Sequence, residues 1–312
     1  MTRTIKIRAL VYHVILPIQL CILLTSCGLF DKELKQDEHI EVFRHQLSRV
    51  EDSLSIPVER LKAFKTIIQL IEDDKDLITL RKKNMLLIDA NNYISNEYVH
   101  IKNYTKALEY SNVSIRLDST NAKSYFNRGC IYQTMDKDSL SMLDYARAIK
   151  IDDNYADAYY NRGIIYEKSA RYEEALADYN KAVKQQPPYL ADIYNNRGNI
   201  YLALKDSSKA LSDYGKVLDL DTTNINAYSN RAGLYIKQKE LDKALDDCNK
   251  GLSIDSSFVR LYRQRANIYE LKKNYEKALN DYERVLSLDY NDKSNIHDAI
   301  RRLRPLVKKN RY

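Results

Sequence analysis

Tryptophan is absent from this 312-residue chain, and glycine (seven) and proline (five) are scarce. So little turn-forming material excludes a hairpin-rich β fold and points to long helical segments. Histidine is also sparse, and His13, His39, His45, His100 and His297 lie scattered. His39 and His45 stand six residues apart, the wrong spacing for two ligands on one helical face. There is no glycine-rich phosphate loop, and no serine or cysteine sits beside a histidine and an acid. The expectation is a chain without catalytic residues, metal ligands or cofactor, in which acid pairs such as Glu173–Glu174 and Asp246–Asp247 are solvated helix faces. Charge of one sign is not concentrated anywhere: the net +7 comes from basic residues interleaved with acidic ones, which excludes a nucleic-acid footprint.

What is present begins with the first 26 residues. Arg3, Lys6 and Arg8 form a basic start with no acid before Ser26, and the apolar run ALVYHVILPIQLCILL follows. That run is broken by His13, Pro17 and Gln19 and is poor material for a membrane span. It closes on LTSC, Leu24 to Cys27, which resembles the lipobox of bacterial lipoprotein signal peptides. The resemblance implies cleavage before Cys27 and a diacylglyceryl group, with further acylation, on its thiol. Two or three acyl chains anchor stably, each buried CH₂ contributing roughly 0.8 kcal/mol. Gly28 rather than Asp follows the cysteine, which in that family's sorting rule implies the outer membrane. Residues 27–36 would then be linker. Cys21 lies inside the signal segment, which leaves Cys130 and Cys248 as free thiols.

The strongest signal is internal repetition. Gly129, Gly163, Gly198, Ala232 and Ala266 recur at steps of 34, 35, 34 and 34 residues. With that small residue as position 8, position 4 is Tyr125, Tyr159, Tyr194, Tyr228 and Tyr262, and position 11 is Tyr132, Tyr166, Tyr201, Tyr235 and Tyr269. Position 20 is Ser141, Ala175, Ala210, Ala244 and Ala278; position 24 is Tyr145, Tyr179, Tyr214, Cys248 and Tyr282. Small residues at 8 and 20 let two helices approach, and large ones at 4, 11 and 24 fill the space between neighbouring pairs.

This pattern resembles the tetratricopeptide repeat (TPR). The resemblance implies an all-α fold, a right-handed superhelical solenoid of antiparallel helix pairs, over 122–155, 156–190, 191–224, 225–258 and 259–292. Residues 88–121 read as a degenerate copy, with Tyr98 at position 11 and Ala107 at position 20. Residues 37–87 read as an N-terminal helical cap and 293–312 as a C-terminal capping helix, with Ser294 as its N-cap and a kink at Pro305. The family's proline at position 32 occurs only at Pro187, so the other second helices must stop by other means.

One departure stands out. Position 7, usually leucine in the family, is Arg128, Arg162, Arg197, Arg231 and Arg265, and position 23 is Asp144, Asp178, Asp213, Asp247 and Asp281. The degenerate copy lacks both, having Ile94 and Tyr110. The co-occurrence predicts an Arg–Asp bridge inside each repeat, since a guanidinium meets a carboxylate through two parallel hydrogen bonds.

In the family, positions 2, 5, 6, 9, 12 and 13 of the first helix meet ligands. Position 6 is Asn127, Asn161, Asn196, Asn230 and then Gln264. A side-chain amide both donates and accepts, so such a ladder could hold an extended polypeptide by its backbone. It is similar to the ladder in the repeats of O-GlcNAc transferase. Asn199, and the pair Arg263 and Asn267, add polar groups to the same face. The pair resembles part of the carboxylate clamp of chaperone-adaptor repeats, whose remaining residues are missing. The resulting expectation is a non-enzymatic, lipid-anchored protein of the bacterial envelope that binds proteins or extended peptides and scaffolds a complex. The alternative is a spacer subunit that self-associates without a peptide groove.

Overall fold

A computed structural model describes residues 41, 43–45, 47, 48, 50, 57–73, 80–288 and 296–309. The proposed signal segment, Cys27, the linker to residue 36 and Ser294 lie outside the described residues. All regular structure among the described residues is helical, with no strand. The chain divides into two compact units, one ending at Ile165 and the other starting at Tyr166.

The first unit contains α1 (Pro57–Asp73), α2 (Leu80–His100), α3 (Tyr104–Leu117), α4 (Ala122–Thr134), α5 (Asp138–Ile151) and most of α6 (Ala156–Lys168). The second holds the end of α6, then α7 (Tyr172–Lys184), α8 (Leu190–Ala203), α9 (Ser207–Leu220), α10 (Ile225–Lys237), α11 (Leu241–Ile254), α12 (Val259–Leu271), α13 (Tyr275–Leu288) and α14 (Ile296–Lys309). Within each unit successive helices pack on one another, and the two helices of a repeat pack most extensively. Turns of about three residues between such partners require them to run antiparallel.

Those turns share one conformation. Lys102, Asp136, Ala170, Lys205, Lys239 and Lys273, all at position 15, have φ between 55° and 63°. Non-glycine residues thus carry the left-handed step that ends each first helix. Asn103 and Asp206 then cap the second helix by accepting from the N–H three residues on.

The missing prolines are replaced by an aspartate. Asp118, Asp152, Asp221 and Asp255 end their helices in extended geometry. Their carboxylates accept from the N–H of Thr120, Asn154, Thr223 and Ser257 at 2.8–3.0 Å. This local turn competes with a further turn of helix. The chain then enters the next first helix, where Asn121 and Asn224 supply N-caps.

The boundary at 87/88 falls inside α2, which begins at Leu80 because Leu86 and Leu87 continue the apolar face of Ala90 and Ile94. Phe43, Leu47, Val50, Leu61, Phe64, Ile67 and Ile71 bury against that face in one cluster. At the other end α14 runs on past Pro305 to Lys309, with Ile296, Ile300 and Leu303 buried against Ala278, Tyr282 and Val285.

Candidate functional site

The scaffold of the site is the position-7 arginine. Arg128 donates Nε and Nη2 to the two carboxylate oxygens of Asp144, both at 2.7 Å. Arg197–Asp213, Arg231–Asp247 and Arg265–Asp281 repeat this fork at 2.7–2.9 Å. These four pairs each lie within one unit, whereas Arg162 and Asp178 belong to different units. Three arginines use a further nitrogen, Nη1, on an asparagine of the preceding repeat: Asn112 for Arg128, Asn180 for Arg197 and Asn249 for Arg265. Arg231 has Gly215 at that place. Each fork therefore ties first helix to second, and three of them also tie repeat to repeat.

The same arginines lie against tyrosine rings. Arg197 sits 5.1 Å from the Tyr194 centroid and 5.9 Å from that of Tyr201; Arg128 lies 5.8 and 6.0 Å from Tyr125 and Tyr132. Tyrosine at 4 and 11 thus covers a part-desolvated guanidinium with two π faces. Lysine at position 19 adds a second cation, Lys209 over Tyr201 and Lys243 over Tyr235. In the degenerate copy Tyr110 instead stacks on Tyr98, 5.5 Å between centroids. The 26 tyrosines are largely explained by this architecture.

The position-24 tyrosines link scaffold to ligand face. Tyr145 and Tyr214 are fully buried, and a Cβ on Gly129 or Gly198 would stand 2.7 or 2.9 Å from their rings, so position 8 must be bare there. The hydroxyls emerge on the first-helix face and each holds a polar side chain. Tyr145 donates to Gln133 at 2.6 Å, Tyr179 to Glu167 at 2.6 Å, Tyr214 to Asn199 at 2.8 Å and Tyr282 to Glu270 at 3.4 Å. Burial pushes the Tyr214 hydroxyl up to about 12, so it stays a donor.

One rung of the amide ladder is built onto these anchors. In the second unit Asn199 Oδ1 accepts from Tyr214 and also from Asn230 Nδ2 at 3.2 Å. Gln264, one repeat on, exchanges two bonds with Ser229: its Nε2 donates to the backbone carbonyl at 2.9 Å, and the Ser229 hydroxyl donates to its Oε1 at 3.1 Å. Asn196 is half-buried on α8. Arg263 and Asn267, one turn apart on α12, come together with Arg302 of α14 around a cavity of about 640 Å³. In the first unit Asn161 Nδ2 points to the Cys130 sulfur at 4.0 Å, and Asn127 is half-buried on α4. Residues missed by sequence reasoning are Gln133, Glu167, Glu270, Ser229 and Arg302. A polar residue twelve before Tyr145, Tyr179 and Tyr282, where Tyr214 has Leu202, was the available signal for the first three.

No group of three or more His, Cys, Asp or Glu among the described residues is placed to hold a metal ion. Cys130 and Cys248 are free thiols; burial pushes Cys130 up to about 11 and Cys248 up to about 12. No described helix is long and apolar enough to cross a membrane.

The fold and face described define a helical-repeat protein of the protein-interaction type. Tetratricopeptide-repeat models match residues 122–155, 156–189, 191–224, 225–258 and 259–289, and the chain belongs to that family. No curated protein matches it significantly. Among solved structures it is similar to pilF of Pseudomonas aeruginosa, with 17% identity and TM-score 0.60, covering 71% of this chain and 98% of that one. The C-terminal part of a TPR repeat-containing protein of Cytophaga hutchinsonii superposes at 16% identity and TM-score 0.62, covering 84% and 99%. YrrB, described as a TPR protein with an unusual peptide-binding site, gives 20% identity and TM-score 0.55 over 60% and 96%. Such identities establish a shared fold and nothing finer.

Proposed function

We propose that this chain is a lipid-anchored protein of the bacterial envelope whose repeats hold extended polypeptide by its backbone, and so scaffold an envelope complex. The observation that carries the binding role is the chain Tyr214–Asn199–Asn230. Its bonds set the orientation of both amides before any ligand arrives. With Asn199 Oδ1 occupied, Asn199 Nδ2 is left to donate and Asn230 Oδ1 to accept, a pair that matches the C=O and N–H of one peptide unit. Preorganisation of this kind lowers the ordering cost of binding. Replacing Asn127, Asn161, Asn196 and Asn230 together by Ala is expected to abolish binding of extended peptides and capture of partners from envelope extract; unchanged binding rejects the groove.

The anchor rests on the basic start, the apolar run and the LTSC sequence. Metabolic labelling with a palmitate analogue should mark the wild-type chain and spare Cys27→Ala, which should also leave the outer-membrane fraction. Labelling that survives Cys27→Ala rejects it.

One observation favours the self-associating alternative. On α5, Leu140 and Leu143 are 41% and 68% exposed, where the following repeats carry Glu174 and Ala177, Lys209 and Ser212, Lys243 and Asp246. If this pair joins two copies, sedimentation will show a dimer that Leu143→Glu dissociates.

A further inference from the structure

Two repeats of the second unit carry the same device, a position-24 tyrosine hydroxyl bonded to a position-12 glutamate: Tyr179 on Glu167 and Tyr282 on Glu270. In one of them the device is filled. Glu270 receives Nη1 of Arg302, from the capping helix α14, at 2.6 Å. The carboxylate thus accepts from a phenol and a guanidinium at once, the arginine approaching from the open side.

The other copy has no such partner. Glu167 is half-buried, and among the described residues the one hydrogen bond to its carboxylate comes from Tyr179. Burial raises its pKa, with the tyrosine bond opposing. A part-desolvated carboxylate gains from a cation that completes its coordination. Its location also fits a ligand role. Glu167 stands at position 12 of its first helix and helps raise the pKa of the Tyr214 hydroxyl, the group that holds Asn199 at position 9 of the next first helix.

From the filled copy we infer that Glu167, positioned by Tyr179, is the anchor for a basic side chain, arginine above all, of the polypeptide lying in this groove. The inference rests on the groove reading and adds a selectivity to it. The amides take any backbone, whereas Glu167 selects segments with an arginine or lysine at one register. Arg302 shows the chemistry, and α14, being the chain's last described helix, supplies it only to Glu270.

The test uses the full chain in detergent and twelve-residue peptides of Gly, Ser and Asn, in which a single Arg is walked through the sequence. One register should bind about fivefold more tightly than the all-neutral peptide, the order of one solvent-accessible ion pair. Glu167→Gln should remove that gain, and Tyr179→Phe should reduce it. Glu283→Gln, an exposed carboxylate on α13, should change nothing. The chain's net positive charge works against non-specific attraction of such peptides. If neutral peptides bind but no register gains, or the gain survives Glu167→Gln, the anchor is overturned while the groove stands. If no peptide binds at all, both are overturned.

Discussion

At the scale of single residues, the position-7 arginine is a scaffold group. Its carboxylate partner is deeply buried: the Asp213 side chain is 3% exposed and the Arg197 side chain 11%. A buried ion pair is weak evidence of net stability, because desolvation offsets the attraction, but removing one partner strands a charge. Arg197→Leu is therefore expected to cost about 3 kcal/mol, read as a lower urea midpoint. Arg197→Ile with Asp213→Tyr, the pair found at Ile94 and Tyr110, should recover most of it. A double mutant as unstable as the single would show that the fork contributes more than charge balance. The cysteines give a second residue-scale expectation. With both thiols pushed up by burial, thiolate forms only well above neutral pH, so Cys130 and Cys248 should resist thiol reagents at pH 8 in the native chain. They should react on denaturation; rapid labelling of the folded protein would contradict the burial shown.

Elements stop and start here by devices that cost helix stability in known ways. Six non-glycine residues occupy the left-handed turn position, each at a cost of roughly 1 kcal/mol relative to glycine. Lys239→Gly should raise stability by about 0.5–1 kcal/mol, with a higher urea midpoint as the measurement. Gly215 offers the opposite case. It lies in the interior of α9, a Cβ there meets nothing within 4 Å, and it faces the one described fork without a third bond, that of Arg231. Gly215→Asn should stabilise by about 0.5–1 kcal/mol, and by more than Gly215→Ala if the amide reaches Arg231. Equal effects of the two would restrict the gain to helix propensity.

For the molecule as a whole, packing within each unit is between neighbours in sequence, so stability is a sum of repeat and interface terms. Damage should stay local. Arg197→Leu is expected to speed hydrogen exchange in α8 and α9 while α2 and α3 keep their protection; a uniform rise would mean the chain unfolds as one cooperative body. The groove shares this modular character, since the five regular repeats each contribute one amide at position 6, and the four with tyrosine at position 24 add a tyrosine-held polar group. Binding strength should then build with the number of repeats engaged, while selectivity sits at individual places such as Glu167.

The repeat length, the helix pairs and the Arg–Asp correlation were legible in the chain itself, because each is written in residue types that recur at fixed spacing. A periodic sequence repeats its local chemistry, and helices stacked on their neighbours need few long-range contacts to be located. The start of α2 was not legible, since the 34-residue frame begins at residue 88 while the buried face begins at Leu86 and the helix itself runs back to Leu80. Nor was the manner of stopping the second helices, because an aspartate turn leaves a fainter trace than proline. The position-6 amides could be named from the sequence but not oriented. Only the tertiary structure decided which end of Asn199 and Asn230 is spent and which is open, and that Glu270 has its arginine while Glu167 has none. Those answers depend on atoms brought together from different repeats, within hydrogen-bond distances that no spacing along one helix specifies.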